Sequence, residues 1–86
     1  MPNHVSSAPA PITAASLFEA IFHPHRAPRS DAYKAGCLAA LRFRLGEVEH
    51  VECPYRPGTA EADAFHAGAD EGHRRARQAM AEEVCQ

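Results

Sequence analysis

The chain has 86 residues, 45% of them hydrophobic, and a formal net charge of −2. That length makes one domain, with little room for a deep catalytic cleft in a single copy. The slight acidity excludes a global attraction to nucleic acid, although protonation of the six histidines would turn the balance positive.

Residues 1–11 hold three prolines and no periodic apolar pattern, so they read as a disordered or weakly docked arm ahead of one small helical domain over residues 12–86. Met1-Pro2-Asn3-His4 lacks the basic start and apolar run of a secretory signal. No stretch approaches the roughly 18 apolar residues of a membrane span. Cys37, Cys53 and Cys85 are an odd number with no regular framework. A reduced, cytoplasmic protein with no membrane partner is expected.

A short helix is predicted from about Thr13 to Phe22. Ser16 with Glu19 has the form of a capping box, and Thr13 offers a cap one turn earlier. Leu17 with Ile21, and Phe18 with Phe22, give it one apolar face. Pro24 ends it by disfavouring helical geometry at His23, and His23 to Arg29 follows as a stiff connector.

The second helix is predicted from Ser30 or Asp31 to about Leu45, with Gly46 suited to the left-handed residue beyond its end. Residues 47–52 are expected to form a loop or frayed turn. Cys53-Pro54-Tyr55-Arg56-Pro57-Gly58 is a rigid turn, and Thr59 caps a third helix lasting to about Glu83. Ala32, Gly36 and Ala40 form one ridge, and Ala64, Gly68, Gly72 and Ala76 another. Glycine within a helix costs about 0.5–1 kcal/mol relative to alanine, so these ridges predict close approach of the two helices. The fold class expected is all-α: a small helical hairpin of two main helices, its core at about 30–83, with an additional short N-terminal helix.

Little in the sequence points to catalysis. No phosphate loop, dinucleotide fingerprint or nucleophile elbow is present, and Cys37 sits among apolar neighbours as an ordinary buried residue. His50 and Cys53 have a possible zinc-ligand spacing, but the second pair is neither CxxC nor HxxxH. His66, Asp70 and His73 belong to a polar stripe with Asp63 and Arg77 that suits a solvated face. No catalytic residue, metal or cofactor is expected. The arginines are more informative. Arg42 and Arg44 close the second helix, Arg56 lies in the turn, and Arg74, Arg75 and Arg77 crowd the third helix. Asp70 with Arg74 and Glu71 with Arg75 also read as ordinary i, i+4 helix pairs.

Ala32-Tyr33-Lys34-Ala35-Gly36, then Cys53-Pro54-Tyr55, then Phe65-His66-Ala67-Gly68 with Glu71, stand in an order that resembles the ribosome modulation factor family. The likeness covers about Asp31 to Arg77. It implies two helices joined by a linker with a Cys-Pro-Tyr turn, in a small bacterial translation regulator. Such a factor binds the ribosome at its RNA and favours inactive, paired ribosomes in ribosome hibernation. On that model Tyr33, Gly36, Cys53, Pro54, Phe65 and Gly68 shape the hairpin, and Tyr55 reaches a partner. With Arg42, Arg44, Arg56, Arg74 and Arg75 it makes the expected RNA-binding set. The chain departs from the family in being acidic, in carrying Phe65 and Ala69 where tryptophans are expected, in its longer linker and in its first helix. The function expected is a non-enzymatic ribosome- or RNA-associated regulatory module. The alternative is a protein-binding inhibitor, of phage or mobile-element type, that blocks a host complex. A homodimer is a further open option, because the core is thin.

Overall fold

The computed structural model describes residues 12–84, so the arm at 1–11 and Cys85 lie outside the described residues. It is all-helical, with α1 at Ala14–Ile21, α2 at Asp31–Arg44 and α3 at Ala60–Val84.

Each helix starts where a side chain satisfies its free amides. Thr13, not Ser16, caps α1. Its hydroxyl accepts from the Ser16 amide at 3.0 Å, and the Thr13 amide in turn donates to the Ser16 hydroxyl at 3.2 Å. The capping box therefore lies one turn earlier than Ser16 with Glu19 would place it. The Glu47 carboxylate adds a long-range bond from the Ala14 amide at 2.9 Å, putting negative charge at the positive end of α1. Ser30 caps α2 through the Tyr33 amide at 3.2 Å, and Thr59 caps α3 through the Ala62 amide at 3.2 Å. Beyond α2, Gly46 takes φ 78°. Its amide reaches the Phe43 carbonyl at 3.1 Å, and the Glu47 amide reaches the Arg42 carbonyl at 2.8 Å. That is a Schellman ending, which occupies two otherwise free carbonyls. Residues 47–52 are then irregular, as expected.

The pairing of α2 with α3 rests on the small-residue ridges. Gly36 lies against the Phe65 backbone, Gly68 against the Tyr33 carbonyl, and Gly72 against the Cys37 carbonyl and the Ala40 side chain. The start of α2 meets the start of α3 at Ala32 and Ala64, and its end meets the middle of α3 where Phe43 and Arg44 reach His73, so the two helices run in the same direction. Residues 45–59 make the return, bringing Tyr55 back beside Asp31, Ala32, Ala60 and Ala64 at the start of both helices. α1 runs the other way, with Ala14 by Glu47 beyond the end of α2 and Phe22 by Tyr33 near its start. Parallel helices place like dipole ends together. Asp31, Glu61 and Asp63 in the first turns, and Arg42 and Arg44 in the last turn of α2, oppose that repulsion.

Glycine contacts hold α2 and α3 close together, and the main apolar cluster forms where α1 covers the pair. There α1 lays Ala14 and Ile21 against Cys37, Leu41 and Ala76, with Leu17, Phe18, Phe22, Leu38 and Leu45 around them. The first helix is thus the lid of the core.

Candidate nucleic-acid interface

Two polar assemblies project from opposite sides of α3, because Glu71 and His73 are two residues apart on a helix of 3.6 residues per turn. The first is buried. Arg26, from the connector after α1, donates two parallel hydrogen bonds to Glu71, both at 2.8 Å. The Tyr33 hydroxyl donates to the same carboxylate at 2.6 Å, and Arg75 adds a bond at 3.2 Å. Glu71 has only 4% of its side chain exposed and Arg26 19%, so the group ties the connector, α2 and α3 together away from water. The Arg26 bonds, with help from Tyr33 and Arg75, hold the Glu71 carboxyl down at about 2 against the desolvation that opposes them. Burial, followed by the bond to Glu71, pushes the Tyr33 phenol up.

A depressed folded-state pKa means stability present above the unfolded value and lost as pH falls toward the folded one. From 4.5 down to about 2, the linkage is on the order of 3 kcal/mol. Thermal stability is expected to decline between about pH 5 and pH 2, as followed by circular dichroism. A Glu71→Gln variant, already weaker at neutral pH, should show a flatter profile over that range.

The second assembly is open to solvent. Arg44, the last residue of α2, donates from Nε to Nδ1 of His73 at 2.9 Å. Burial, then the neighbouring Arg44, pushes the His73 pKa down, with an opposing pull from Asp70 and a lesser push from Arg77, so a neutral ring accepts the hydrogen bond from Arg44. Phe43 meets the same ring edge-on with centroids 6.2 Å apart and stays 40% exposed. Arg77, one turn beyond His73, is exposed on the same face of α3. Two arginines beside an exposed aromatic and an imidazole form a surface able to hold phosphates and stack an unpaired base.

The expected RNA-binding residues are not gathered in one place. Arg44 joins this face, and the exposed Arg74 flanks it, next to His73. Arg75 turns to the opposite side and binds Glu71. Arg42 is exposed two residues before Arg44, hence on the far side of α2. Tyr55 is half-buried, edge-on to Phe65 at 6.2 Å, in the groove where α2 and α3 begin, and Arg56 is exposed in the adjoining turn. The motif residues converge: Gly36 touches Phe65, Gly68 touches Tyr33, Tyr55 packs on Phe65, and the Cys53 thiol points to the Tyr55 carbonyl at 3.7 Å. Pro54 is exposed in the same turn.

Sequence reading missed Phe43, His73 and Arg26 as partners. In the sequence Phe43 is simply one of the few large apolar side chains, His73 part of a solvated stripe and Arg26 a connector residue. The pairing of an aromatic and an arginine at the end of α2 with a histidine on α3 needs the parallel direction to be known first. Among the described residues, no group of three histidine, cysteine or acidic side chains is placed to hold a metal ion. His50 instead lies 3.1 Å from Glu52. Burial raises the Cys37 thiol to about 11, which leaves it little thiolate for nucleophilic chemistry. Among the described residues, no helix is long and apolar enough to cross a membrane.

Comparison with protein-family models, curated proteins and solved structures finds no match to this chain.

Proposed function

We propose that the protein is a non-enzymatic, ribosome- or RNA-associated regulatory module of the ribosome modulation factor kind. The observation that carries the reading is the face made by Phe43, Arg44, His73 and Arg77, in which cations and an exposed ring meet across two helices. Mutual contact among Tyr33, Gly36, Tyr55, Phe65 and Gly68 supports the resemblance, because these otherwise common motif pieces form one packed unit. The acidic remainder of the chain restricts RNA contact to a local patch, since repulsion elsewhere disfavours wrapping by nucleic acid.

The reading is tested by ribosome cosedimentation of single variants. Arg44→Glu and Arg77→Glu are expected each to reduce binding at least tenfold with helicity unchanged. Phe43→Ala should cost about 1–3 kcal/mol, the range for loss of one base stack. If binding to some other complex is recovered instead, and depends on Phe43 and the exposed Met80 but not on the arginines, the protein-binding inhibitor is the better reading.

A further inference from the structure

The connector after α1 holds a second concentration of positive charge that the RNA-facing surface does not use. A cavity of about 210 Å³ lies between Phe22 at the end of α1, the His23-to-Arg29 connector and Lys34 of α2. Arg26, Arg29, Lys34 and His23 line it, and no carboxylate does. Among the described residues neither Arg29 nor Lys34 forms an ion pair. Arg26 is matched by Glu71, but Glu71 holds Arg75 as well, so that cluster keeps a net positive charge behind the cavity wall.

The cations are held in place before any ligand arrives. The Arg29 guanidinium lies over the Tyr33 ring at 4.4 Å, and that of Arg26 over the Phe22 ring at 4.7 Å. Pro24 and Pro28 stiffen the segment between them, and a turn closes with the Arg26 amide on the His23 carbonyl at 3.1 Å. Side chains already ordered lose less freedom on binding. Unpaired cations around a small hollow select an anion, and the hollow falls short of the roughly 300 Å³ at which small-molecule pockets begin. It suits a phosphate group, with the rest of the ligand outside.

We propose that this cavity binds a phosphate monoester, carried either by a free nucleotide or by the 5′ end of an RNA. The site is separate from the His73 face, on the other side of α3, and stands or falls independently of ribosome binding.

The test is a two-dimensional NMR titration of the full chain with AMP, adenosine, inorganic phosphate, and short RNA with a 5′ phosphate or a 5′ hydroxyl, at constant ionic strength. AMP or the 5′-phosphorylated RNA is expected to shift amides of residues 22–34 saturably, and inorganic phosphate to shift the same set more weakly. Adenosine and the 5′-hydroxyl RNA should leave them in place. Response to AMP alone assigns the source to a nucleotide, and response to the phosphorylated RNA alone assigns it to an RNA end. The double variant Arg29→Gln with Lys34→Gln is expected to weaken binding at least tenfold. Arg26 is left intact because it anchors Glu71, and circular dichroism checks that the double variant keeps its helicity. Equal responses to phosphorylated and unphosphorylated ligands would overturn the proposal, as would no saturable response or an affinity unchanged in a folded double variant.

Discussion

Glu71→Ala is expected to be among the most destabilising single substitutions in the chain, costing about 3–5 kcal/mol, the range for removing one partner of a buried ion pair. The loss exceeds that of one hydrogen bond because three donors converge on this carboxylate. Arg26, only 19% exposed, is left with an unmatched charge, and the Tyr33 hydroxyl loses its acceptor. The connector is released with them, which leaves α1 held to the core by its apolar contacts and the Glu47 bond alone. Chemical denaturation followed at 222 nm measures the effect. Arg75→Ala serves as comparison. Its side chain is 44% exposed and its bond to Glu71 longer, so a cost within the 0–1 kcal/mol of surface pairs is expected. Equal costs for the two variants would show that burial of the Arg26 bonds contributes nothing.

Gly68 and Gly36 give the second large effect. A Cβ at Gly68 would overlap the Tyr33 carbonyl, and one at Gly36 the Phe65 carbonyl, in each case main chain rather than a movable side-chain tip. The helices must therefore separate even for alanine. Gly68→Ala and Gly36→Ala are each expected to destabilise by about 1–3 kcal/mol through overpacking, and the leucine variants by more. The contacts make them equivalent, because each glycine meets a carbonyl of the facing helix. Gly72 should follow more mildly, since its Cβ would overlap the Cys37 carbonyl less deeply than the other two overlap theirs. Denaturation midpoints of the four alanine and leucine variants check this. Wild-type stability in both alanine variants would contradict the close pairing.

Helix positions were legible because their signals are local. The Ser30 and Thr59 caps, the proline after His23, and Gly46 beyond α2 each act within a turn of the residue that carries them. The small-residue ridges extended that reading to a tertiary contact, since glycine at i, i+4 within a helix has a cost that close packing offsets. Direction was not legible. A 15-residue connection at 45–59 permits the chain to turn straight back or to return along the pair, and no residue in it decides between them. Everything that depends on direction was hidden with it, including the meeting of Arg44 with His73 and the side of the pair left for α1. Arg26 reaches Glu71 across 45 positions, a separation at which charge patterning on one helix carries no information. Glu71 illustrates the limit. Its i, i+4 spacing to Arg75 is present in the structure, but its principal partner is Arg26, 45 residues away.

The arginine cluster read from sequence divides among separate tasks for the same reason. Arg75 supports the core, Arg42 and Arg56 stand apart, and Arg44, Arg74 and Arg77 remain on or beside the His73 face. That division sets the number of phosphate contacts available under the proposed binding to ribosomal RNA. Cosedimentation with ribosomes across a salt series counts them, because each neutralised phosphate contributes about 0.7–0.9 to the slope of log affinity against log salt. Three arginines predict a slope of about −2 to −3, with binding strongest at low salt and the slope reduced by about one unit in Arg77→Glu. Absence of cosedimentation at low salt, or binding that does not change with salt, would contradict recognition of RNA by this face.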